Sequence, residues 1–176
     1  MNIILCGFQG VGKTYFGRLV SQKLKRDFFD SDEQLLEKNK EMPSSSVRDF
    51  CLRVGEEEFR KQEAAIVLAL CEKKEVIIAL GGGSLTNKQS QRAIKKAGRL
   101  LYLYLPYEEL YKRLQGIPLP SYLSNKKEAF EKLFTERHKV FSQLANETIF
   151  LQGLVNDQVL DKICCHHELQ DYAKFY

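Results

Sequence analysis

The chain has 176 residues, of which 44% are hydrophobic and 28% charged, with a net charge of +4. That length and apolar content suit one globular domain with its own core, and exclude a small scaffold that depends on disulfides. The excess positive charge is mild and carries no Lys/Arg-rich block or basic-aromatic repeat, so it suits handling of small anions and argues against nucleic acid as a partner.

The predicted elements alternate. Residues 3–6 form an apolar run read as a first strand, followed by Gly7-Phe8-Gln9-Gly10-Val11-Gly12-Lys13-Thr14 and a helix over 15–25. This loop fits G-x-x-x-x-G-K-[ST] in full. Glycines let backbone N–H groups curl around a polyphosphate, and a helix N-terminus adds partial positive charge. Gly10, Val11, Gly12, Lys13, Thr14 and Tyr15 are therefore expected around ATP, with Lys13 on the β- and γ-phosphates and the Thr14 hydroxyl on Mg²⁺. The competing reading is a glycine-rich turn with an incidental lysine.

Residues 28–30 give a short second strand that ends on Asp30-Ser31-Asp32, and 31–40 a helix. Of two carboxylates two residues apart, Asp30 and Asp32, one can hold Mg²⁺, directly or through water, while the other faces a phosphoryl acceptor. Equally, Ser31 and Asp32 could cap the next helix. Ser44-Ser45-Ser46 suggests a cap for a short helix through Val47, Phe50 and Cys51. A longer helix over 56–72 carries Arg60 and, three residues on, Glu63. That spacing allows Glu63 to hold the guanidinium while its other donors face a ligand, or allows a solvated surface pair.

Residues 76–80 read as a strand buried on both faces, stopped by Gly81-Gly82-Gly83. This is either a bare turn or a set of unhindered N–H groups for a carboxylate or hydroxyl. A helix over 88–97, a strand over 100–105 and a helix over 107–114 follow. Residues 115–125 are irregular, with Pro118 and Pro120. A long helix over 126–144, a strand over 147–151 and a helix over 156–169 complete the chain. Alternation of this kind predicts an α/β fold, a parallel sheet flanked by helices on both faces, with the site beyond the carboxyl ends of the strands.

No secretory leader is expected, since the apolar opening runs straight into the loop. No apolar stretch approaches the roughly 20 residues of a membrane span. Five cysteines, most within apolar segments, suggest reduced, buried thiols and a cytoplasmic setting. The adjacent Cys164-Cys165-His166-His167 does not match spacings that converge on one metal ion. A monomer is expected, with no long exposed heptad or apolar patch evident.

The loop at 7–14, Phe29-Asp30-Ser31-Asp32, Gly55-Glu56 with Phe59-Arg60 and Glu63, and Leu80-Gly81-Gly82-Gly83, in this order, resemble the shikimate kinase family. The resemblance covers residues 1 to about 145. It implies a single P-loop domain of the nucleoside-monophosphate-kinase-like kind, with a lid near 115–125 and a substrate-binding helical region near 31–63. It also implies transfer of the γ-phosphoryl of ATP to the 3-hydroxyl of shikimate, with Mg²⁺. By the same resemblance Asp30 stands near the metal and Asp32 contacts shikimate hydroxyls and acts as base. Arg60 and Arg137, the latter within Glu136-Arg137-His138 and followed by Phe141, hold the shikimate carboxylate. Gly82 and Gly83 offer backbone contacts to the substrate, and Arg113 lies near the adenine. The alternatives are a gluconate-kinase-like enzyme on the same scaffold and an ATP-binding module without catalysis. One departure stands out. The family's lid carries an arginine before Pro-Leu, whereas Gly116-Ile117-Pro118-Leu119-Pro120-Ser121-Tyr122-Leu123 has none. Lys126 or Lys127, beside the gap, is expected to supply the cation.

Overall fold

Asn2–Cys6 (β1) is apolar after its first residue and buried along its whole length, as a central strand must be when both faces are covered. It pairs in parallel with Ile77–Ala79 (β3) on one side and Gly98–Tyr104 (β4) on the other. Phe28–Asp30 (β2) and Glu147–Phe150 (β5) complete a five-stranded sheet of order β2-β3-β1-β4-β5, with every pairing parallel. The computed structural model describes residues 1–42, 44–115 and 127–172, with side chains through residue 165.

Lys13–Leu24 (α1) links β1 to β2. Ser31–Lys38 (α2), Val47–Val54 (α3) and Glu56–Glu72 (α4) lead from β2 to β3, and Lys88–Ala97 (α5) from β3 to β4. Tyr107–Leu114 (α6) and Lys127–Leu144 (α7) lie between β4 and β5, and Asn156–Tyr172 (α8) follows. The path from β1 to β2 runs one way across the sheet and all later crossovers run the other. Right-handed crossovers then place α1 on one face and α4 and α5 on the opposite face. α8 returns to pack against α1, and α4 against α5.

Most boundaries fall as the periodicity predicts. One helix starts earlier: α1 begins at Lys13 because Gly12, left-handed at φ 96°, already serves as its cap. The strand expected from residue 100 begins at Gly98, where Asn2 pairs with it and leaves no room for a side chain. Asn2 is itself fully buried: its side chain donates to the Lys73 carbonyl at 2.8 Å and accepts from the Val76 amide at 3.2 Å, fastening the start of β1 beside β3. The carboxyl ends of β1, β2 and β3, side by side, deliver the phosphate loop, the acid pair and the glycine turn to one place.

The cysteines are all free, as expected, but not all buried. Cys6 and Cys164 are buried, Cys51 and Cys71 half-buried, and Cys165 exposed, because α8 turns that position outward. Among the described residues no helix is long and apolar enough to cross a membrane.

Candidate active site

The loop after β1 is folded around its own lysine. Gly10 and Gly12 take φ of 83° and 96°, which a side chain would resist. Lys13 Nζ donates to the carbonyls of Gly7 at 3.0 Å and Phe8 at 2.8 Å. Burial pushes the Lys13 ammonium below its ordinary pKa, and the charges of Asp32 and Asp30 oppose that shift. The first turn of α1 holds no acidic residue, so its amide donors face an anion without competition. Val11 is buried behind the loop.

Thr14 and Asp30 meet across the first gap. The Thr14 hydroxyl donates to Asp30 Oδ2 at 2.6 Å, while Asp30 Oδ1 accepts the Asp32 amide at 2.9 Å. Asp30, not Ser31 or Asp32, is thus the cap of α2, and the structural reading of the acid pair holds for a different residue than expected. One carboxylate both caps α2 and accepts from Thr14. Thr14 and Asp30 present hard oxygen donors side by side, which fits the chemistry of Mg²⁺. Among the described residues no group of three or more His, Cys, Asp or Glu side chains could hold a metal, so such an ion would lean on phosphate oxygens and water as well.

Ser31, released from capping, turns inward. It is buried and its Oγ accepts the Gly81 amide at 2.7 Å. The expectation of three unhindered N–H groups is therefore corrected: the first is consumed in tying the turn to the end of β2. None of the three glycines has positive φ. Their lack of side chains answers a need for space instead. A Cβ on Gly81 would strike the Asp32 carboxylate, one on Gly82 would come to 3.0 Å from Arg137 Nη1, and one on Gly83 would strike the Arg60 guanidinium. An acid from α2 and arginines from α4 and α7 thus converge on the turn.

Each of these groups is electrostatically constrained. Asp32 is raised to about 6, first by burial and then by the charge of Asp30, with Lys13 opposing. Glu63 is buried; its Oε2 accepts from Arg60 Nη1 at 2.7 Å and its Oε1 from Ser84 Oγ at 3.3 Å. The solvated-surface reading of this pair fails, because Glu63 lies beneath Arg60 rather than beside it. Burial works against the Arg60 charge, but the bonded Glu63 carboxylate holds it above the ordinary arginine range. Arg137 has its guanidinium 5.7 Å from the centre of the Phe8 ring.

Two expected nucleotide contacts stand apart from this cluster. Tyr15 is half exposed and its hydroxyl accepts from Asn156 Nδ2 at 2.8 Å, linking the start of α1 to the start of α8. Arg113 is exposed in the last turn of α6, next to Leu114, which packs on Gly10. The expected lid falls almost wholly at 116–126, outside the described residues, as does Lys126; Lys127 begins α7 and is exposed. The sequence marks Ser31 only as a possible cap, and gives no sign of the contacts of Ser84, Asn156 and the Phe8 ring. Ser31 was visible as the residue between the two acids, whereas the others are tied to partners far along the chain.

The Shikimate kinase family model matches residues 9–167. A shikimate kinase of Streptococcus gordonii is 33% identical over 168 residues, covering 94% of this chain and 99% of its own. One of Bacillus subtilis is 35% identical over 165 residues, covering 92% of this chain and 86% of its own. Among solved structures, a shikimate kinase from Acinetobacter baumannii in complex with shikimate superposes with a TM-score of 0.83 at 28% identity, covering 97% of this chain and 93% of that one.

Proposed function

The chain belongs to the shikimate kinase family and is a phosphotransferase that uses ATP to phosphorylate shikimate, and from that premise we propose how its own residues divide the work. The gluconate-kinase-like alternative and the inactive-module alternative are not favoured by these matches.

Arg60 and Arg137 take the substrate carboxylate. Guanidinium groups on either side of Gly82 and Gly83 fix the orientation of a planar anion as well as its charge. The turn amides of Gly82 and Gly83 and the Asp32 carboxylate face the ring hydroxyls. Gly10, Val11, Gly12, Lys13 and the α1 N-terminus cradle the phosphates, with Tyr15 and Arg113 on the nucleoside side. Thr14 and Asp30 would hold Mg²⁺, which would supply charge neutralisation at the phosphates.

Asp32 accepts the proton of the attacking hydroxyl as its oxygen bonds the γ-phosphorus and the bond to the ADP oxygen breaks. A carboxylate near pKa 6 suits that task at neutral pH, being ionised yet more basic than an exposed acid. Lys13 exchanges the Gly7 and Phe8 carbonyls for phosphate oxygens. Since phosphoryl transfer involves little covalent work by the protein, positioning and electrostatics carry most of the rate. The lid cation falls to Lys126 or Lys127. Turnover unchanged in the Lys126→Ala/Lys127→Ala double variant would remove that assignment.

The observation that carries this reading is the convergence of Asp32, Arg60 and Arg137 on Gly81-Gly82-Gly83. It is tested by ADP release from ATP and Mg²⁺ with shikimate, gluconate, AMP or no acceptor. Release with shikimate alone is expected; equal release with gluconate would overturn it. We assign a monomer, since the sequence carries no long exposed heptad, and a cytoplasmic setting from the free thiols, checked by sedimentation and by fractionation.

A further inference from the structure

Phe8 fills the second place of the phosphate loop, where the motif asks for no particular residue. Its ring is nonetheless 3% exposed. It stacks on Phe134, centroids 5.0 Å apart at 28°, and meets Phe130 and Phe141 edge-on at 6.0 and 6.1 Å. The Arg137 guanidinium stands over the same ring at 5.7 Å. Phe130, Phe134, Arg137 and Phe141 are spaced four, three and four apart, so they line one face of α7. The face that brings Arg137 to Gly82 is the face that rests on Phe8.

The two halves of Phe8 thus serve different ligands. Its backbone carbonyl accepts from Lys13, on the phosphate side. Its side chain bears on α7, on the acceptor side. Farther along α7, His138 stacks on Phe134 and its Nδ1 lies 3.1 Å from the Tyr102 hydroxyl, which anchors the helix to β4. Phe8 is the contact at the level of Arg137 itself.

We propose that Phe8 is a positioning residue for the substrate carboxylate, acting through Arg137: a residue of the nucleotide loop that sets affinity for the other substrate. This rests on the reading of Arg137 as a carboxylate ligand. A leucine at position 8 keeps the backbone carbonyl and most of the apolar burial, but loses the flat face on which Phe134 and Arg137 sit. Nucleotide binding therefore survives while carboxylate binding weakens.

The test uses the full chain with Phe8→Leu, Phe134→Leu and the double variant, measuring KM for each substrate and kcat. Phe8→Leu is expected to raise the shikimate KM about five- to tenfold, the scale of one lost ring contact, with the ATP KM within roughly twofold. Phe134→Leu reads the same contact from α7 and serves if Phe8→Leu folds poorly. The double variant is expected to be no worse than the poorer single, as for two halves of one contact. A shikimate analogue with the carboxylate reduced to an alcohol separates positioning from general loosening: Phe8→Leu should penalise shikimate and spare the analogue. A raised ATP KM with unchanged shikimate KM, or equal penalties on shikimate and analogue, would overturn the proposal. Arg137→Lys is measured alongside. If it leaves the shikimate KM unchanged, the reading of Arg137 fails first; if it raises that KM while both Phe8→Leu and Phe134→Leu do not, only the role of Phe8 fails.

Discussion

Ser31 Oγ accepts the Gly81 amide at 2.7 Å, so the residue between Asp30 and Asp32 also holds the turn proposed to meet the substrate. Both partners are buried. Ser31→Ala leaves a buried N–H without an acceptor, which costs about 1–3 kcal/mol. A lower Tm together with a raised shikimate KM is expected, and Ser31→Thr should restore both. Unchanged Tm and KM in the alanine variant would show that the turn is held by other contacts.

Gly83 sets the second test. Any Cβ there displaces the Arg60 guanidinium, which Glu63 otherwise holds from below. A charge-assisted pair to a ligand is worth roughly 2–3 kcal/mol, so Gly83→Ala should raise the shikimate KM about thirtyfold or more. The ATP KM should stay within roughly twofold, because the atoms nearest the added Cβ belong to Arg60 and not to the phosphate loop. Titration calorimetry of shikimate binding without nucleotide checks the same loss directly.

Asp32 links activity, pH and stability. With its carboxyl raised to about 6, log kcat/KM should fall with unit slope as the pH drops below that value. Asp32→Asn should keep ATP binding, lose about a hundredfold to ten-thousandfold in kcat, and lose the acid limb of the profile. The stability effect has the opposite sign. Between the ordinary aspartate range and about 6, the folded protein keeps a proton that the unfolded chain has released. Folding stability from this group therefore falls as pH rises through that window, and Asp32→Asn removes the penalty. At neutral pH the variant should melt higher, by roughly 1–3 kcal/mol of added stability. A less active variant that melts lower would mean that Asp32 makes a structural contribution outweighing its burial.

Metal dependence tests Thr14 and Asp30 together. Chelation with excess EDTA should abolish ADP release, and added Mg²⁺ should restore it. Thr14→Ala should shift the Mg²⁺ concentration for half-activity upward by about tenfold, as the loss of one ligand predicts. The Asp30 cap of α2 survives in that variant, since it depends on the other carboxylate oxygen and the Asp32 amide. Unaltered Mg²⁺ dependence would take Thr14 out of the metal site.

Much of this site was legible because its parts are local. The loop at 7–14, the acids at 30 and 32 and the run of three glycines each announce themselves within a few residues. Element order was legible for the same reason, since period and punctuation are short-range signals. Strand order was not: β1 sits between strands that follow it by some seventy and ninety residues, and such pairings leave no mark in a local window. The crowding around the glycines was hidden in the same way. Their need for space comes from Asp32, Arg60 and Arg137 on distant helices, while the local pattern pointed to free amides. The contacts of the Phe8 ring were illegible because its partners lie more than a hundred residues away.

The crowding at Gly81-Gly82-Gly83 also bears on how this enzyme could escape an inhibitor. Every missense change at a glycine adds at least a Cβ, and here each Cβ meets an acid or arginine proposed to serve turnover. A compound that rests on this backbone therefore presses where resistance by substitution disarms its bearer, and escape would have to arise elsewhere in the pocket.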